Sequence, residues 1–224
     1  MFLVLFDVDG TLVDSQHIIF EAMRRAFDGE GLAVPTHPQV LSIIGRSLPD
    51  AMQTLAAGAG ARLIDALVDS YKAAFHDLRS VAVAYEALYP GAKAALDRLA
   101  ARPDVVLGIA TGKSMRGVNA VIEAHGLEGR FVTIQTADTH PSKPHPSMVF
   151  TALAEAGVPG ERTVMIGDSS YDMEMARAAG VAALGVSWGY QPVAQLTAAG
   201  AHAIVDGFDE VEPAIAQLLA WSDR

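Results

Sequence analysis

FDVDGTLVDS, residues 6–15, places Asp7 and Asp9 one residue apart directly after the apolar run MFLVLF. A short apolar run that stops at an acidic turn predicts a buried strand rather than a signal peptide, which would carry basic residues before it. Carboxylates at the end of a buried strand lose water and repel each other, so this pair is costly unless something compensates its charge. The stretch therefore predicts a functional site at the end of the first strand.

The composition indicates a folded, acidic protein with a large hydrophobic core. The chain has 224 residues, 51% hydrophobic and 19% charged, enough for one large domain or a core domain with a smaller insert. Its 16 basic and 26 acidic side chains give a net charge of −10, which argues against a general nucleic-acid or anionic-membrane partner. Cysteine is absent, which excludes disulfides, thiolate metal sites and a thiol nucleophile. No apolar run approaches the roughly 18 residues needed to span a bilayer, so we expect a cytoplasmic location.

Short apolar runs alternate with amphipathic segments along most of the chain. The runs predict buried strands of a parallel sheet at 2–6, 105–110, 131–136, 163–168, 181–188 and 201–206. The segments between them predict helices at 91–102, 114–126, 146–158 and 170–180. This alternation predicts the α/β class, with a doubly wound parallel sheet and helices on both faces.

The interval between the first and second predicted strands breaks this alternation, because it contains no convincing strand. Helical patterns fill it at 16–31, 48–60 and 61–79. The interval is too long for a crossover connection and too apolar for a disordered loop. We therefore predict a core of residues 1–14 and 88–224, interrupted by an inserted helical subdomain of residues 15–87.

Polar residues follow the ends of several predicted strands, which is where open α/β sheets bind ligands. They are Asp7, Asp9 and Thr11 after the first strand, and then Thr111, Gly112, Lys113, Lys143, Asp168 and Asp172. Carboxylate oxygens suit Mg²⁺, whereas Lys, Thr and backbone N–H groups suit a phosphate. No His, Cys or Ser machinery accompanies them, so a carboxylate is the expected nucleophile, as in aspartyl-phosphate chemistry.

Four segments in this order, FDVDGTLVDS, ATGK, SKPHP and GDSSYD, closely resemble the four motifs of the haloacid dehalogenase (HAD) superfamily of phosphatases. The resemblance spans the whole predicted core, and the insert after the first motif resembles the superfamily's α-helical cap. The phosphoglycolate phosphatase-like group is the most similar. The resemblance implies a HAD-like Rossmannoid sheet with the first strand central. It also implies hydrolysis of a small phosphorylated metabolite that fits under the cap.

The resemblance further implies a role for each candidate residue. Asp7 would attack the phosphorus and form a phosphoaspartate. Asp9 would protonate the leaving alcohol and then deprotonate the water that hydrolyses the intermediate. Mg²⁺ would be held by Asp7, the backbone carbonyl of Asp9 and Asp168, with support from Asp172. The phosphoryl oxygens would be bound by Thr111, the N–H of Gly112 and Lys143.

Other activities of the same superfamily are the alternatives. Dehalogenases lack the second aspartate of the first motif, so Asp9 argues against dehalogenation. Mutases of the β-phosphoglucomutase type carry Glu-Asp at the fourth motif and a His in the first cap helix, where this chain has Gly167-Asp168 and Ile19. Phosphonoacetaldehyde hydrolases need a cap lysine, and Lys72 is the only lysine of the insert. A catalytically idle HAD-fold binding protein is the alternative from another class.

Substrate contacts in this superfamily come mainly from the cap. The segment IIGRSLPD, residues 43–50, places Arg46 in a Gly-containing turn. An arginine there could bind a substrate carboxylate through two hydrogen bonds, as phosphoglycolate would require; the alternative is a solvated or helix-capping Arg46. The seven histidines are scattered and are interpreted as structural or surface residues. Asp14 and Ser15 are interpreted as shaping the path into the cap, and no feature indicates an oligomeric state.

Overall fold

A parallel β-sheet forms the centre of the protein. The computed structural model describes residues 1–81 and 86–221 of the 224-residue chain. The strands are β1 Phe2–Phe6, β2 Val13–Asp14, β3 Ala87–Leu88, β4 Val105–Thr111, β5 Phe131–Thr136, β6 Thr163–Gly167, β7 Ala182–Val186 and β8 Ala203–Val205. Within these residues the main sheet has the order β5-β4-β1-β6-β7-β8, and all of its pairings are parallel. The predicted interior position of the first strand is confirmed.

Helices connect the strands. They are α1 Gln16–Gly29, α2 His37–Leu41, α3 Leu48–Leu55, α4 Ala61–Val81, α5 Ala92–Ala100, α6 Met115–His125, α7 Ser147–Ala156, α8 Ser170–Ala179, α9 Val193–Ala198 and α10 Phe208–Leu218. No helix in the described ranges combines the length and the hydropathy that a membrane crossing needs. The helices α2, α9 and α10 are not predicted from the sequence. The first two are too short to show a helical period, and α10 contains Pro213, a residue that normally ends a helix.

The sheet is covered by helices on both faces. From β1, Val4 and Phe6 pack on one face, whereas Leu3 and Leu5 pack on the other. The helices α5 and α10 contribute to the first layer, and α7, α8 and α9 contribute to the second. Because both faces are buried, the strands consist of nearly continuous apolar residues. The predicted doubly wound α/β class is confirmed.

The helices α1 to α4 build a second hydrophobic cluster, and we call residues 16–81 the helical unit. Its buried side chains include Met23 and Phe27 of α1, Met52 of α3 and Leu67 of α4. These side chains pack mainly against one another rather than against the sheet, so the helical unit has an apolar core of its own. The helical content predicted for this interval is confirmed.

A short antiparallel ribbon, formed by β2 and β3, lies where the chain leaves the sheet for the helical unit and returns from it. Val13 pairs with Leu88, and Asp14 pairs with Ala87. The prediction of no strand in this interval is wrong at these positions, because a two-residue strand shows no alternation of apolar and polar residues. The ribbon places the two chain segments that flank the helical unit side by side.

The predicted division of the chain agrees in position with this ribbon but stays a prediction. The proposed core of residues 1–14 and 88–224 and the proposed cap of residues 15–87 meet at the paired strands. Residues 82–85 of the cap range and 222–224 of the core range lie outside the described residues.

Leu96→Ala tests how much α5 contributes to the core beneath the sheet. Leu96 is fully buried, so truncation removes apolar contacts and leaves a cavity. We expect the free energy of unfolding to fall by about 2–5 kcal/mol. Lys93→Ala, on the exposed side of the same helix, is the matched control and should change it by about 0.5 kcal/mol or less. Urea unfolding followed by circular dichroism measures both, and equal effects would contradict the packing described for α5.

Candidate active site

Loops at the carboxyl edge of the sheet bring the predicted site residues together. The strands β1, β4 and β6 are parallel neighbours, so the residues that follow them meet at one edge. Asp7 follows β1, Asp168 follows β6, and Asp172 lies in the first turn of α8. Lys143 comes from the loop between β5 and α7 and is buried at the same place.

Three carboxylates form a buried cluster at this edge. Asp7, Asp168 and Asp172 each offer an oxygen atom, and these atoms lie within 4.8 Å of one another. The hydroxyl of Thr11 donates to Asp168 Oδ1 at 3.1 Å, and the N–H of Tyr190 donates to Asp168 Oδ2 at 2.8 Å. The Thr111 side chain and the Val8 backbone contact the carboxylate of Asp7 and favour its ionised form. The cluster therefore brings several buried acceptor oxygens together at one point.

Lys143 is the cation of this cluster. Its Nζ lies 2.6 Å from Asp172 Oδ1 and 3.0 Å from Asp7 Oδ1. The other oxygen of Asp172 accepts hydrogen bonds from the N–H and the hydroxyl of Ser169, at 3.1 and 2.6 Å. This is a capping box at the N-terminus of α8. The carboxylate of Asp172 therefore both caps the helix and orients the lysine.

The loop that carries Lys143 is anchored by His140. One ring nitrogen of His140 lies 2.9 Å from Gln135 Oε1 on β5, and the other lies 2.8 Å from Ser147 Oγ at the start of α7. Gln135 is itself buried and donates to Glu155 at 2.7 Å. His140 therefore has a structural part, in agreement with its interpretation from the sequence.

Burial and mutual repulsion shift the pKa values of the cluster. Burial raises the pKa of Asp7 to about 6, although the charge of Lys143 opposes this shift. Burial, reinforced by the charges of Asp172 and Asp7, raises the pKa of Asp168 well above its usual value. Burial alone would lower the pKa of Lys143, but Asp172 and Asp7 outweigh it and that pKa is raised. One ammonium is thus insufficient for three carboxylates, and the cluster favours a further cation.

Glycines let the backbone pass directly against these carboxylates. A Cβ on Gly10 would lie 2.3 Å from Asp168 Oδ2, and one on Gly189 would lie 2.0 Å from Asp168 Cβ. A Cβ on Gly167 would lie 2.3 Å from Asp172 Cγ. Gly10 also has a φ of +87°, which residues with a side chain rarely adopt. The cluster therefore depends on backbone positions that tolerate no side chain.

The donor set fits a hard divalent cation. Mg²⁺ takes oxygen ligands, usually from one or two carboxylates together with water and substrate. A cation at this point would be held by Asp7 and Asp168, beside Asp172, and would relieve the repulsion between the three carboxylates. The predicted contribution of the Asp9 backbone carbonyl stays a prediction.

The carboxylate of Asp9 has partners of its own. Its Oδ1 accepts a hydrogen bond from the Ser15 hydroxyl at 2.6 Å and another from Lys113 Nζ at 2.7 Å. Lys113 Nζ also lies 2.9 Å from Glu86 Oε1, and Arg79 Nε donates to Glu86 Oε2 at 2.7 Å. Burial would lower the pKa of Lys113, but the charges of Asp9 and Glu86 outweigh it and raise that pKa. Asp9, Lys113, Glu86 and Arg79 thus form a series of contacts in which negative and positive charges alternate.

The sequence places Lys113 after the second predicted strand without indicating a role for it, and it gives no sign of Glu86. Lys113 belongs to the segment ATGK, from which only Thr111 and Gly112 are predicted to act. Glu86 lies outside every motif, and its burial at 7% exposure has no sequence signal. The sequence indicates only that Ser15 shapes the path of the chain into the cap. Its N–H does donate to the Tyr190 hydroxyl at 2.8 Å, but its own hydroxyl contacts a candidate catalytic carboxylate.

Thr111 and Gly112 lie where the helical unit meets the sheet edge. Thr111 is buried at the end of β4, and its Oγ1 accepts from the N–H of Lys113 at 3.2 Å. A Cβ on Gly112 would lie 2.5 Å from the carbonyl oxygen of Gly45 and 2.6 Å from that of Arg46. The helical unit therefore touches the predicted phosphate-binding turn backbone to backbone.

Further polar contacts join the helical unit to the loops that carry the cluster. The N–H of Ser47 donates to Ser142 Oγ at 2.8 Å, and the Tyr171 hydroxyl donates to the carbonyl of Ser42 at 3.0 Å. Ser142 and Tyr171 directly precede Lys143 and Asp172 in the sequence. The helical unit thus contacts the same loops that position the buried ion pairs.

Arg46 lies beside the site through its backbone, while its guanidinium has other partners. Its Cζ lies 4.7 Å from the ring centre of Tyr171, and its Nη1 donates to Thr54 Oγ1 at 3.3 Å. Its Nε is buried and has no hydrogen-bond partner among the residues that the structure describes. The structure therefore brings the other predicted residues to one edge of the sheet and leaves the substrate contact of Arg46 as a prediction.

Comparison with known proteins agrees with this geometry. Residues 4–186 match the family described as haloacid dehalogenase-like hydrolase. The chain belongs to this family. A relative named Probable phosphatase IndB, from Dickeya dadantii, is 36% identical over 223 residues, which cover 98% of this chain and 96% of the relative. A phosphoglycolate phosphatase from Rhodospirillum rubrum is 33% identical over 214 residues, covering 92% and 87%.

The fold of the HAD family is also found among solved structures. The crystal structure of a hydrolase from Pseudomonas syringae matches with a TM-score of 0.85 at 23% identity, covering 97% of this chain and 99% of that one. The similarity confirms the HAD-like fold predicted from the four motifs.

Gly189→Ala tests whether the close backbone approach sets the cation site of this HAD protein. The added Cβ would displace Asp168, so we expect the affinity for Mg²⁺, measured by calorimetric titration, to fall by about tenfold or more. Gly60→Ala is the matched control, because a Cβ there meets nothing within 4 Å. A folded Gly189→Ala protein that binds Mg²⁺ as tightly as the control would contradict the assignment.

Proposed function

We propose that this chain is a Mg²⁺-dependent phosphatase that hydrolyses a small phosphomonoester through a phosphoaspartate on Asp7. The observation that carries the proposal is the Asp7 carboxylate. It is buried at the end of β1, lies close to the carboxylates of Asp168 and Asp172, and has its Oδ1 3.0 Å from Lys143 Nζ. A carboxylate held in place beside a cation is suited to act as a nucleophile. The relatives named as phosphatases support the same activity.

In the first proposed step, a carboxylate oxygen of Asp7 attacks the phosphorus atom. The bond between phosphorus and the alkoxy oxygen breaks, and that oxygen takes a proton from Asp9. The products are a phosphoaspartate and a free alcohol. Phosphoryl transfer requires mainly alignment and compensation of negative charge, which Lys143 supplies at Asp7, while Thr111 and the N–H of Gly112 bind phosphoryl oxygens.

In the second proposed step, water hydrolyses the phosphoaspartate. Asp9, which is ionised after the first step, takes a proton from the water as its oxygen attacks the phosphorus. The bond between phosphorus and the Asp7 oxygen breaks, which releases inorganic phosphate and restores the Asp7 carboxylate. The proton on Asp9 then serves the next turnover, so protons and electrons balance over the cycle.

Mg²⁺ would be held by Asp7, Asp168 and the Asp9 backbone carbonyl, with Asp172 in support. When bound it would offset the negative charge of the cluster and of the phosphoryl group. The residues of the chain prepare this site in advance. Thr11 and the Tyr190 N–H hold Asp168, and Lys143 holds the two other carboxylates.

We further propose that the helical unit is the cap of this enzyme and that it encloses the bound substrate. The close approach of Gly112 to the carbonyls of Gly45 and Arg46 supports this, because it places the helical unit directly against the proposed phosphate-binding turn. A substrate enclosed in this way is a small phosphorylated metabolite. Nucleic acid and membranes are not proposed as partners of a chain with a net charge of −10, and a cytoplasmic location completes the proposal.

The mutase alternative is less well supported by the same geometry. Ile19, at the position where β-phosphoglucomutase-type enzymes carry a His, is buried in the apolar core of the helical unit. A Glu at position 167 would collide with Asp172, because even a Cβ on Gly167 would lie 2.3 Å from its Cγ. Both observations favour transfer of the phosphoryl group to water.

Phosphoglycolate is the substrate that we propose for testing first. The relative from Rhodospirillum rubrum is named a phosphoglycolate phosphatase. Arg46 offers a cation for the carboxylate of such a substrate, since its backbone adjoins Gly112 and its buried Nε has no hydrogen-bond partner among the described residues. The guanidinium would exchange its contacts with Tyr171 and Thr54 for the substrate carboxylate.

Asp7→Asn tests the nucleophile. The replacement has nearly the same shape but cannot form the acyl phosphate, so kcat for p-nitrophenyl phosphate in the presence of Mg²⁺ should fall by about a thousandfold or more. Asp65→Asn, on an exposed position of α4, is the matched control and should retain full activity. Turnover at the wild-type rate by a folded Asp7→Asn protein would overturn the mechanism, and no turnover by the wild-type protein would favour the idle binding protein.

Arg46→Ala tests the substrate contact. Loss of a charge-assisted contact should lower kcat/KM for phosphoglycolate by about tenfold or more, while p-nitrophenyl phosphate, which has no carboxylate, should be affected little. Arg62→Ala, an exposed arginine of the same helical unit, is the control. An equal effect on both substrates would remove Arg46 from the specificity site. No hydrolysis of phosphoglycolate by the wild-type protein would remove that substrate.

A further inference from the structure

We infer that Lys113 is a positioning residue that fixes Asp9 for proton transfer through Oδ2, and that Glu86 in turn fixes Lys113. The inference rests on the proposed function, because it assigns an orientation to the residue proposed as the acid and base. It goes beyond the proposed function because it names Oδ2 as the atom of Asp9 that exchanges the proton. It also assigns roles to Lys113 and Glu86, to which the motifs give none.

The contacts of Asp9 distinguish its two carboxylate oxygens. The hydroxyl of Ser15 and the ammonium of Lys113 both donate to Oδ1, at 2.6 and 2.7 Å. Two donors on one oxygen restrict rotation of the carboxylate and stabilise negative charge on that atom. Oδ2 takes part in neither contact, so it is the oxygen that can carry the proton to a leaving group and accept one from water.

Lys113 is itself held rigidly. Its side chain is 7% exposed, and its Nζ lies 2.9 Å from Glu86 Oε1 and 5.2 Å from the ring centre of Phe75. Glu86 is anchored at two points, because Arg79 Nε donates to its Oε2 at 2.7 Å and its backbone carbonyl lies 2.8 Å from His125 Nε2. A long flexible lysine positions another group only if its own end is fixed, and these contacts fix it.

The position of Lys113 separates this role from charge compensation at the nucleophile. Lys113 Nζ contacts the carboxylates of Asp9 and Glu86, at 2.7 and 2.9 Å. The other buried lysine of the site, Lys143, lies beside Asp7, where the phosphorus atom would be attacked. Lys113 is therefore assigned to proton transfer at Asp9, and Lys143 to charge at the nucleophile.

Two aryl phosphates of similar shape test this assignment. The phenol released from phenyl phosphate has a pKa of about 10, as a tyrosine side chain does, and needs protonation as it leaves. The far more acidic p-nitrophenol does not. In Lys113→Met, we expect kcat for phenyl phosphate to fall about tenfold further than kcat for p-nitrophenyl phosphate, with little change in KM. Asp9→Asn should show the same bias more strongly, and Lys93→Met, an exposed lysine on α5, should show none.

Further variants separate positioning from a general structural effect. Lys113→Arg should restore part of the loss on phenyl phosphate. Glu86→Gln should also lower kcat for phenyl phosphate more than kcat for p-nitrophenyl phosphate, but by a smaller factor. If Lys113→Met does not fold, Glu86→Gln tests the inference in its place. The double variant Lys113→Met with Glu86→Gln should be no worse than Lys113→Met alone, because Glu86 acts through Lys113.

Several results would overturn the inference. Equal loss of kcat on both aryl phosphates would assign Lys113 to the fold rather than to proton transfer. A raised KM on both substrates with unchanged kcat would assign it to phosphate binding. If the wild-type protein hydrolyses both substrates and Lys113→Met hydrolyses them at the same rates, the inference is wrong and the phosphatase proposal stands. If the wild-type protein hydrolyses neither substrate, the inference and the phosphatase proposal are both wrong.

Discussion

Lys143 places a buried ammonium between Asp7 and Asp172, at 3.0 and 2.6 Å, at the point where three carboxylates meet. Each ion at this depth has lost its water, so the arrangement is stable only while the charges remain paired. Removing one partner from such a buried pair typically costs about 3–5 kcal/mol, because the other charge is left uncompensated. The contacts of His140 hold the loop that carries Lys143, and the contact of Ser169 holds Asp172 at the start of α8. Both therefore keep the buried charges paired.

A second buried lysine, Lys113, is also paired with two carboxylates. Lys113 lies between Asp9 and Glu86 much as Lys143 lies between Asp7 and Asp172. Two aspartates that are one residue apart in the sequence therefore have separate cations. This arrangement reduces their mutual repulsion and gives each carboxylate a different environment, which is what a nucleophile and a proton donor require.

Most of the fold could be predicted from the sequence, because the strands of a buried parallel sheet are continuous apolar runs with helical patterns between them. The strand–helix alternation gave the sheet class, and the polar residues after each strand gave the carboxylates and Lys143. The ribbon of β2 and β3 could not be predicted, since two residues carry no periodic pattern. Glu86 and the role of Lys113 could not be predicted for another reason. Both depend on a pairing between distant parts of the chain, which no local pattern shows.

The pairing of β2 with β3 means that the chain departs from the sheet and returns to it at adjacent backbone positions. The helical unit is therefore joined to the core by two chain segments that lie side by side. A change in its length leaves the order and register of the strands intact as long as these two ends stay paired. The contacts of Ser42, Gly45 and Ser47 with the site loops confine such changes to the parts of the helical unit that face away from those loops.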